Sequence, residues 1–193
     1  LEGIYFADFI REVLKKRSRR KSEHYAAIYD AIIKHIENFS EEFDCDIFTN
    51  SVTAEFLDDF IIYLEDQGLR HNTIVGYIRK VQTLVRRASQ YNYSVDITYD
   101  EIDLREEPTN AVCLSMNEIS RIYYYKFVGQ DKRKAKERIR DMFILGCLTA
   151  LRYSDYSRLT SQNLIDNYIV IRTKKTNVDV KVLAHDYVKE IFA

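Results

Sequence analysis

Through the first half of the chain, apolar side chains recur at helical spacing. Phe6, Phe9, Ile10, Val13 and Leu14 form one stripe and predict a helix over residues 4–16. A basic connector, 17–22, leads to a second helix over 25–43, with Ile28, Ile32, Ile36 and Phe39 on one face. Phe56, Leu57, Phe60, Ile61 and Leu64 mark a third over 54–67. Thr53 stands where an N-cap belongs, and Gly68 where the helix should stop. The fourth runs over 74–91 on Ile74, Tyr77, Ile78, Val81, Leu84 and Val85, with Asn72 or Thr73 as its cap. Arg79, Lys80, Arg86 and Arg87 fall off that apolar face, so they are expected to remain available to a partner. The pattern predicts a four-helix unit ending near Asn92.

The second half changes character. Residues 93–111 are acidic, lack helical periodicity and contain the chain's one proline, Pro108. They read as an interdomain linker. Ser115 and Glu118 have capping-box spacing and open a helix at Met116. Residues 126–136 are polar and basic. Residues 135–148 become steadily more apolar, as in a helix entering a core, and 154–159 make a short helix. Residues 168–172 and 178–183 read as two strands around a turn at 173–177, a β-hairpin. Residues 185–193 begin another helix. One hairpin and a few helices leave apolar surface uncovered, so this second domain is expected to be incomplete. The predicted fold is mainly α: a helical domain over 1–92, a linker over 93–111 and a truncated α+β domain over 112–193.

Composition narrows the class. Five glycines and one proline in 193 residues suit a helical protein, and 46% apolar residues can fill a core. No apolar run is long enough to span a membrane, and no signal peptide opens the chain. The first residue is Leu1, so a trimmed start is expected. Cys45, Cys113 and Cys147 are widely spaced and read as reduced cytoplasmic thiols, with Cys147 placed in the core by its apolar surroundings. His24, His35, His71 and His185 lack ligand spacing, and neither metal nor cofactor is expected.

The net charge of −1 says little, but its distribution says more. Residues 11–21 hold seven basic side chains and one acidic, 70–87 hold five and none, and 126–140 hold seven and two. Residues 37–66 hold ten acidic side chains and no basic ones. Such segregation can give the molecule one positive face. The plain alternative is a set of solvated helix faces.

The chemistry is concentrated in Thr149-Ala150-Leu151-Arg152-Tyr153-Ser154-Asp155, which closes the apolar run 142–148. Arg152 therefore sits at the end of a buried helix and needs an anion or an acidic partner. About twenty residues on, Lys174-Lys175-Thr176 occupies the hairpin turn. An arginine and a lysine converging from rigid elements suit a phosphate. A structural pair between Arg152 and Asp155 is the competing explanation for the arginine, and ordinary solvent exposure for the lysine.

This arrangement resembles the tyrosine recombinase (phage integrase) family, in which a T-G-L-R-x-S-E/D motif is followed by a β-hairpin lysine. Phe56-Leu57-x-x-Phe60-x-x-Tyr63-Leu64, Gly68 and Asn72-Thr73-Ile74-x-x-Tyr77 resemble its SAM-like core-binding domain. Leu114-Ser115-x-x-Glu118-Ile119 resembles the start of its catalytic domain, and Ile169-Val170-Ile171-x-x-x-Lys175-Thr176 its lysine hairpin. Ala150 departs from the usual glycine. The family's His-x-x-Arg segment and tyrosine nucleophile find no match, so the chain is expected to be a fragment of the longer enzyme.

The resemblance implies metal-free phosphoryl transfer on double-stranded DNA through a 3′-phosphotyrosyl link. Arg152 would clamp a non-bridging oxygen, Asp155 would orient Arg152, and Lys175 would protonate the leaving 5′ oxygen. Lys174 is the rival; neighbours on a strand face opposite ways, so one of the two should reach the site. Phosphate contacts would come from Arg79, Lys80, Arg86 and Arg87, from Asn72 and Thr73 at a helix start, and from Lys16, Arg17, Arg19, Arg20 and Lys21. Residues 132–138 fit either a DNA-facing loop or a soluble connector. The parent would act as a tetramer on paired sites, with the fragment monomeric in solution. A non-catalytic helical DNA-binding module is the alternative, and a protein-interaction domain the blander one.

Overall fold

The computed structural model describes residues 3–17, 23–129 and 131–193. It divides into two compact units, Leu1–Thr109 and Asn110–Ala193.

The first unit contains α1 (Phe6–Arg17), α2 (Glu23–Glu42), α3 (Ala54–Asp66) and α4 (His71–Gln90). Their apolar stripes meet in one core. Phe6, Ile10, Ile32, Leu57, Phe60 and Leu84 are fully buried there. Phe60 lies at its aromatic centre, its ring centroid 5.6 Å from those of Phe39 and Phe56 and 5.8 Å from that of Tyr63. Thr53 caps α3 by accepting from Phe56 N at 3.1 Å. Gly68 adopts φ +76°, and Leu69 N reaches back to Leu64 O, the double-bonded stop that favours glycine. The start of α4 differs from expectation. It begins at His71 after Arg70, which makes no side-chain cap bond. Asn72 therefore lies inside the helix, and its amide is engaged elsewhere.

The chain entering α1 pairs with the α2–α3 link: Phe6 N donates to Ile47 O and Thr49 N to Ile4 O, both at 2.9 Å. Thr49 is fully buried, and its hydroxyl donates to Ser94 O at 2.8 Å. Beyond α4 the chain does not leave the unit. Tyr93, Val95, Tyr99, Ile102 and Leu104 pack against the core, around a 3₁₀ turn at Ile97–Asp100 capped by Asp96.

The second unit holds α5 (Met116–Tyr123), α6 (Arg133–Thr149), α7 (Tyr153–Tyr156) and α8 (Asp186–Phe192). Its antiparallel sheet has the order β1 (Leu164–Ile165), β2 (Tyr168–Arg172) and β3 (Asp179–Leu183). β2 and β3 pair from Tyr168 opposite Leu183 to Arg172 opposite Asp179. Ile169 and Ile171 alternate inward along β2. Ile169 joins Leu145, Ala184 and Val188 in a small core. The α5 capping box forms as the sequence indicates, between Ser115 and Glu118. Gly146 leaves room for the Tyr156 ring: a Cβ there would lie 2.8 Å from it, so the ring would have to shift.

Cys147 corrects an expectation. It is exposed, because α6 buries Ile144, Leu145 and Thr149 and turns Cys147 to the other side. An apolar run on a helix buries one stripe of residues rather than its whole circumference. α8 is tied to α5 by tyrosines. Tyr123 and Tyr187 stack at 4.2 Å, Tyr123 donates to Glu190 at 2.6 Å, and Ser120 and Tyr187 share a hydrogen bond of 2.9 Å. Desolvation, and then the Glu190 carboxylate, push the Tyr123 phenol up to about 12.

Candidate functional site

The strand-like backbone at Arg152 gives way to the single turn of α7. Ala150, in the left-handed region at φ +53°, ends α6. Arg152 then occupies the N-cap position of α7, its carbonyl accepting from Asp155 N at 2.8 Å and Tyr156 N at 2.9 Å. Its guanidinium is exposed and has no partner among the described residues. The expected pair with Asp155 does not form.

Asp155 is fully buried and looks the other way. Its Oδ1 accepts from Lys174 N at 2.7 Å and from Arg158 Nη2 at 3.3 Å. Arg158 also donates to Arg172 O, at the end of β2. The carboxylate thus holds the turn of the β2–β3 hairpin against the turn that begins at Arg152. Its second oxygen, Oδ2, is buried without a hydrogen-bond partner among the described residues.

Lys174 and Lys175 are both exposed and lie in the turn, not on a strand. The argument from opposite strand faces therefore does not separate them. Thr173, nearly buried, organises the turn: Thr173 N donates to Val178 O at 2.9 Å and Asn177 N to Thr173 O at 3.0 Å. The Thr173 and Thr176 hydroxyls are 2.8 Å apart. The backbone amide of Lys174 is committed to Asp155, which fixes Lys174 at the bend and leaves Lys175 one residue further round.

On the first unit, the polar side of α4 is largely taken up by residues 99–107. Arg79 pairs with Glu106 at 2.9 Å and donates to Leu104 O at 3.1 Å. Arg86 pairs with Asp100 at 2.8 Å. Gln82 Nε2 donates to Tyr99 O and Ile102 O. Asn72 donates to Glu107 O at 2.9 Å and accepts from Glu107 N at 2.8 Å, while His71 Nε2 meets Arg105 O at 2.9 Å. Arg79, Arg86 and Asn72 are therefore not standing free as expected. The acidic segment neutralises the first two, and a two-way amide bond occupies the third.

What remains open is a stripe at seven-residue spacing: Thr73, Lys80 and Arg87. Gly76 and Thr83 lie between them on the same side of the helix. Arg87 has no partner among the described residues, and Lys80 Nζ rests on its own helix at Gly76 O, 3.0 Å away. On α1, Lys16 pairs with Glu12 at 3.6 Å and lies over the Tyr91 ring at 4.7 Å. Arg17 ends the helix. Arg19, Arg20 and Lys21 lie outside the described residues. Among the described residues, no three His, Cys, Asp or Glu side chains cluster so as to hold a metal ion, and no helix is long and apolar enough to cross a membrane.

The phage integrase SAM-like domain family matches residues 5–103. No curated protein matches the chain. Several solved structures share its fold. A lambda integrase dimer bound to a COC′ core site is 16% identical with a TM-score of 0.74, covering 98% of this chain and 53% of that one. A lambda integrase tetramer bound to a Holliday junction is 16% identical at 0.71, covering 96% and 54%. The Tn1549 transposon integrase in complex with a circular intermediate DNA is 15% identical at 0.72, covering 98% and 64%. The chain spans about half the length of the lambda integrase chains.

Proposed function

Because the chain belongs to the phage integrase SAM-like domain family through residues 5–103, we propose that it is part of a site-specific DNA recombinase of the tyrosine type. The first unit would be the core-binding domain, 1–92 with the segment to 111 as its exit. The second would be the amino-terminal part of the catalytic domain. The observation that carries this reading is the 2.7 Å bond from Lys174 N to buried Asp155, which brings the lysine turn to the turn beginning at Arg152.

The demand of the reaction is a cation for the non-bridging oxygens and an acid for the leaving oxygen. Arg152 supplies the first through its planar, unpaired fork. Lys175 supplies the second, with Lys174 as the neighbouring candidate. Asp155 acts on the lysine turn rather than on Arg152. The tyrosine nucleophile would come from further along a longer protein, forming the 3′-phosphotyrosyl link and releasing a 5′-hydroxyl, with no nucleotide cofactor consumed. That protein would act as a tetramer on paired duplex sites, in the cytoplasm.

On the DNA-binding side, the open stripe of α4 fits the backbone and groove of a duplex better than the whole basic helix. Gly76 allows close approach, Thr73 and Thr83 offer short polar groups, and Lys80 and Arg87 offer charge. Lys16 can extend this surface. Arg79 and Arg86 would contribute little while residues 99–107 hold them.

Two experiments test the reading. Duplex binding by this chain should weaken with salt, and Lys80→Ala and Arg87→Ala should each lower the salt slope by about one, with Arg79→Ala near neutral. A salt slope unchanged in both variants would remove α4 from the interface. In the longer protein, Arg152→Ala should abolish covalent trapping on a suicide substrate while leaving binding largely intact. Normal trapping would refute the catalytic assignment and leave a DNA-binding module.

A further inference from the structure

Beyond α4, the nine residues 99–107 hold five carboxylates and one basic side chain. The segment runs antiparallel to the helix. Asp100 meets Arg86, Ile102 O accepts from Gln82, Leu104 O and Glu106 accept from Arg79, and Glu107 exchanges two bonds with Asn72. Asn72, Arg79 and Arg86 are spaced by seven residues, so they share one line on α4. The open stripe of Thr73, Lys80 and Arg87 lies one residue round from that line. The two acid-bound arginines therefore border the open stripe.

The carboxylates are not what seats the segment. Tyr99, Ile102 and Leu104 pack against the core, and Gln82 and Asn72 bind its backbone. The two ion pairs are instead open to solvent: Arg79 and Glu106 are 51% and 60% exposed, Arg86 and Asp100 55% and 60%. Exposed pairs of this kind add little to stability and are screened by salt. A guanidinium makes the same charge-assisted bonds to a phosphate as to a carboxylate. Another anion can thus take the place of either acid while the anchors of the segment stay made.

We propose that Asp100 and Glu106 are built-in competitors for DNA phosphate on α4, and that they set how tightly, and with what salt dependence, a duplex is held. This rests on the reading of α4 as the DNA-facing helix. In the free chain each acid neutralises its arginine. On a duplex each arginine must release a carboxylate to take a phosphate, so its net contribution is small. Lys80 and Arg87 have no acidic partner among the described residues and contribute in full. Removing an acid turns its arginine from a spectator into a contact.

Duplex binding by the full chain over a salt series tests this. Asp100→Asn and Glu106→Gln should each tighten binding by up to about fivefold. Each should also steepen the salt slope by about 0.9, the release expected for one added phosphate contact. Glu101→Gln removes the same charge from the same segment, but Glu101 is exposed and pairs with no base among the described residues, so its slope should match the wild type. Arg79→Ala, near neutral in the wild-type chain, should abolish the whole gain in Glu106→Gln. Slopes unmoved by Asp100→Asn and Glu106→Gln, in a chain whose slope Lys80→Ala does lower, overturn the inference and leave the α4 reading standing. An equal steepening by Glu101→Gln overturns it too, because overall charge would then account for the gain. A slope that neither Lys80→Ala nor Arg87→Ala lowers overturns the α4 reading, and the inference falls with it.

Discussion

Removing the Asp155 carboxylate should loosen one turn before it weakens the fold. Asp155→Ala deletes the acceptor for Lys174 N at 2.7 Å and for Arg158 at 3.3 Å. A hydrogen bond to a charged acceptor contributes about 1.5–3 kcal/mol. The Arg158 contact adds little, because that side chain is 45% exposed and its charge is screened. Against this, the substitution also removes the buried Oδ2 that finds no partner, whose desolvation opposes folding by about 1–3 kcal/mol. The two effects nearly offset for the unit as a whole, but not at the turn. Hydrogen exchange of the Lys174 amide should therefore accelerate about 10- to 100-fold, at roughly 1.4 kcal/mol per factor of ten. The β2–β3 ladder amides, such as that of Ile171, should change far less. Asp155→Asn keeps an acceptor and should fall between the two. The reasoning fails if the Lys174 amide exchanges at its original rate in Asp155→Ala, or if every amide of the second unit accelerates together.

Three other outcomes are expected. Ala150→Gly should stabilise the second unit by about 0.5–1 kcal/mol in chemical denaturation, since Ala150 sits at φ +53° and a side chain there is strained. Asn72→Ala should expose residues 99–107 to limited proteolysis, because the Asn72 amide makes both of the Glu107 backbone bonds. The Tyr123 phenol, raised to about 12, should be among the last to ionise in a 295 nm titration, and Tyr123→Phe should remove that late step. The native state favours its protonated form, so its contribution to stability is complete below about pH 10 and is lost as pH rises from 10 to 12.

The four helices of the first unit were legible because each buries a single face, and a buried face leaves a periodic trace. Thr53, Gly68 and the Ser115–Glu118 box were legible because caps need particular side chains. The two-residue β1 was too short to leave any pattern. The contacts of residues 99–107 were hidden for another reason: Asn72, Arg79, Gln82 and Arg86 mostly meet backbone carbonyls or single carboxylates 14 to 35 residues away. No spacing rule encodes such contacts. An acidic run following a basic helix was the one available hint. At the candidate site, the motif located Arg152, Asp155 and the lysine turn. The partner of Asp155 could not be read, because it is a backbone amide, and every residue has one.

The clamp on α4 also sets the length of the leash between the two units. A free segment over 93–111 would span nineteen residues. With Glu107 bound to Asn72 and Ser115 locked in its capping box, the exposed run shortens to 108–114. Seven residues between fixed ends reach at most about 25 Å, against about 68 Å for nineteen. Effective concentration falls roughly as the −3/2 power of tether length, so the shorter leash raises it about 4.5-fold. Once one unit has landed on a surface, its companion searches a smaller volume. The acidic segment that pairs with Arg79 and Arg86 thereby shortens the tether between the two units.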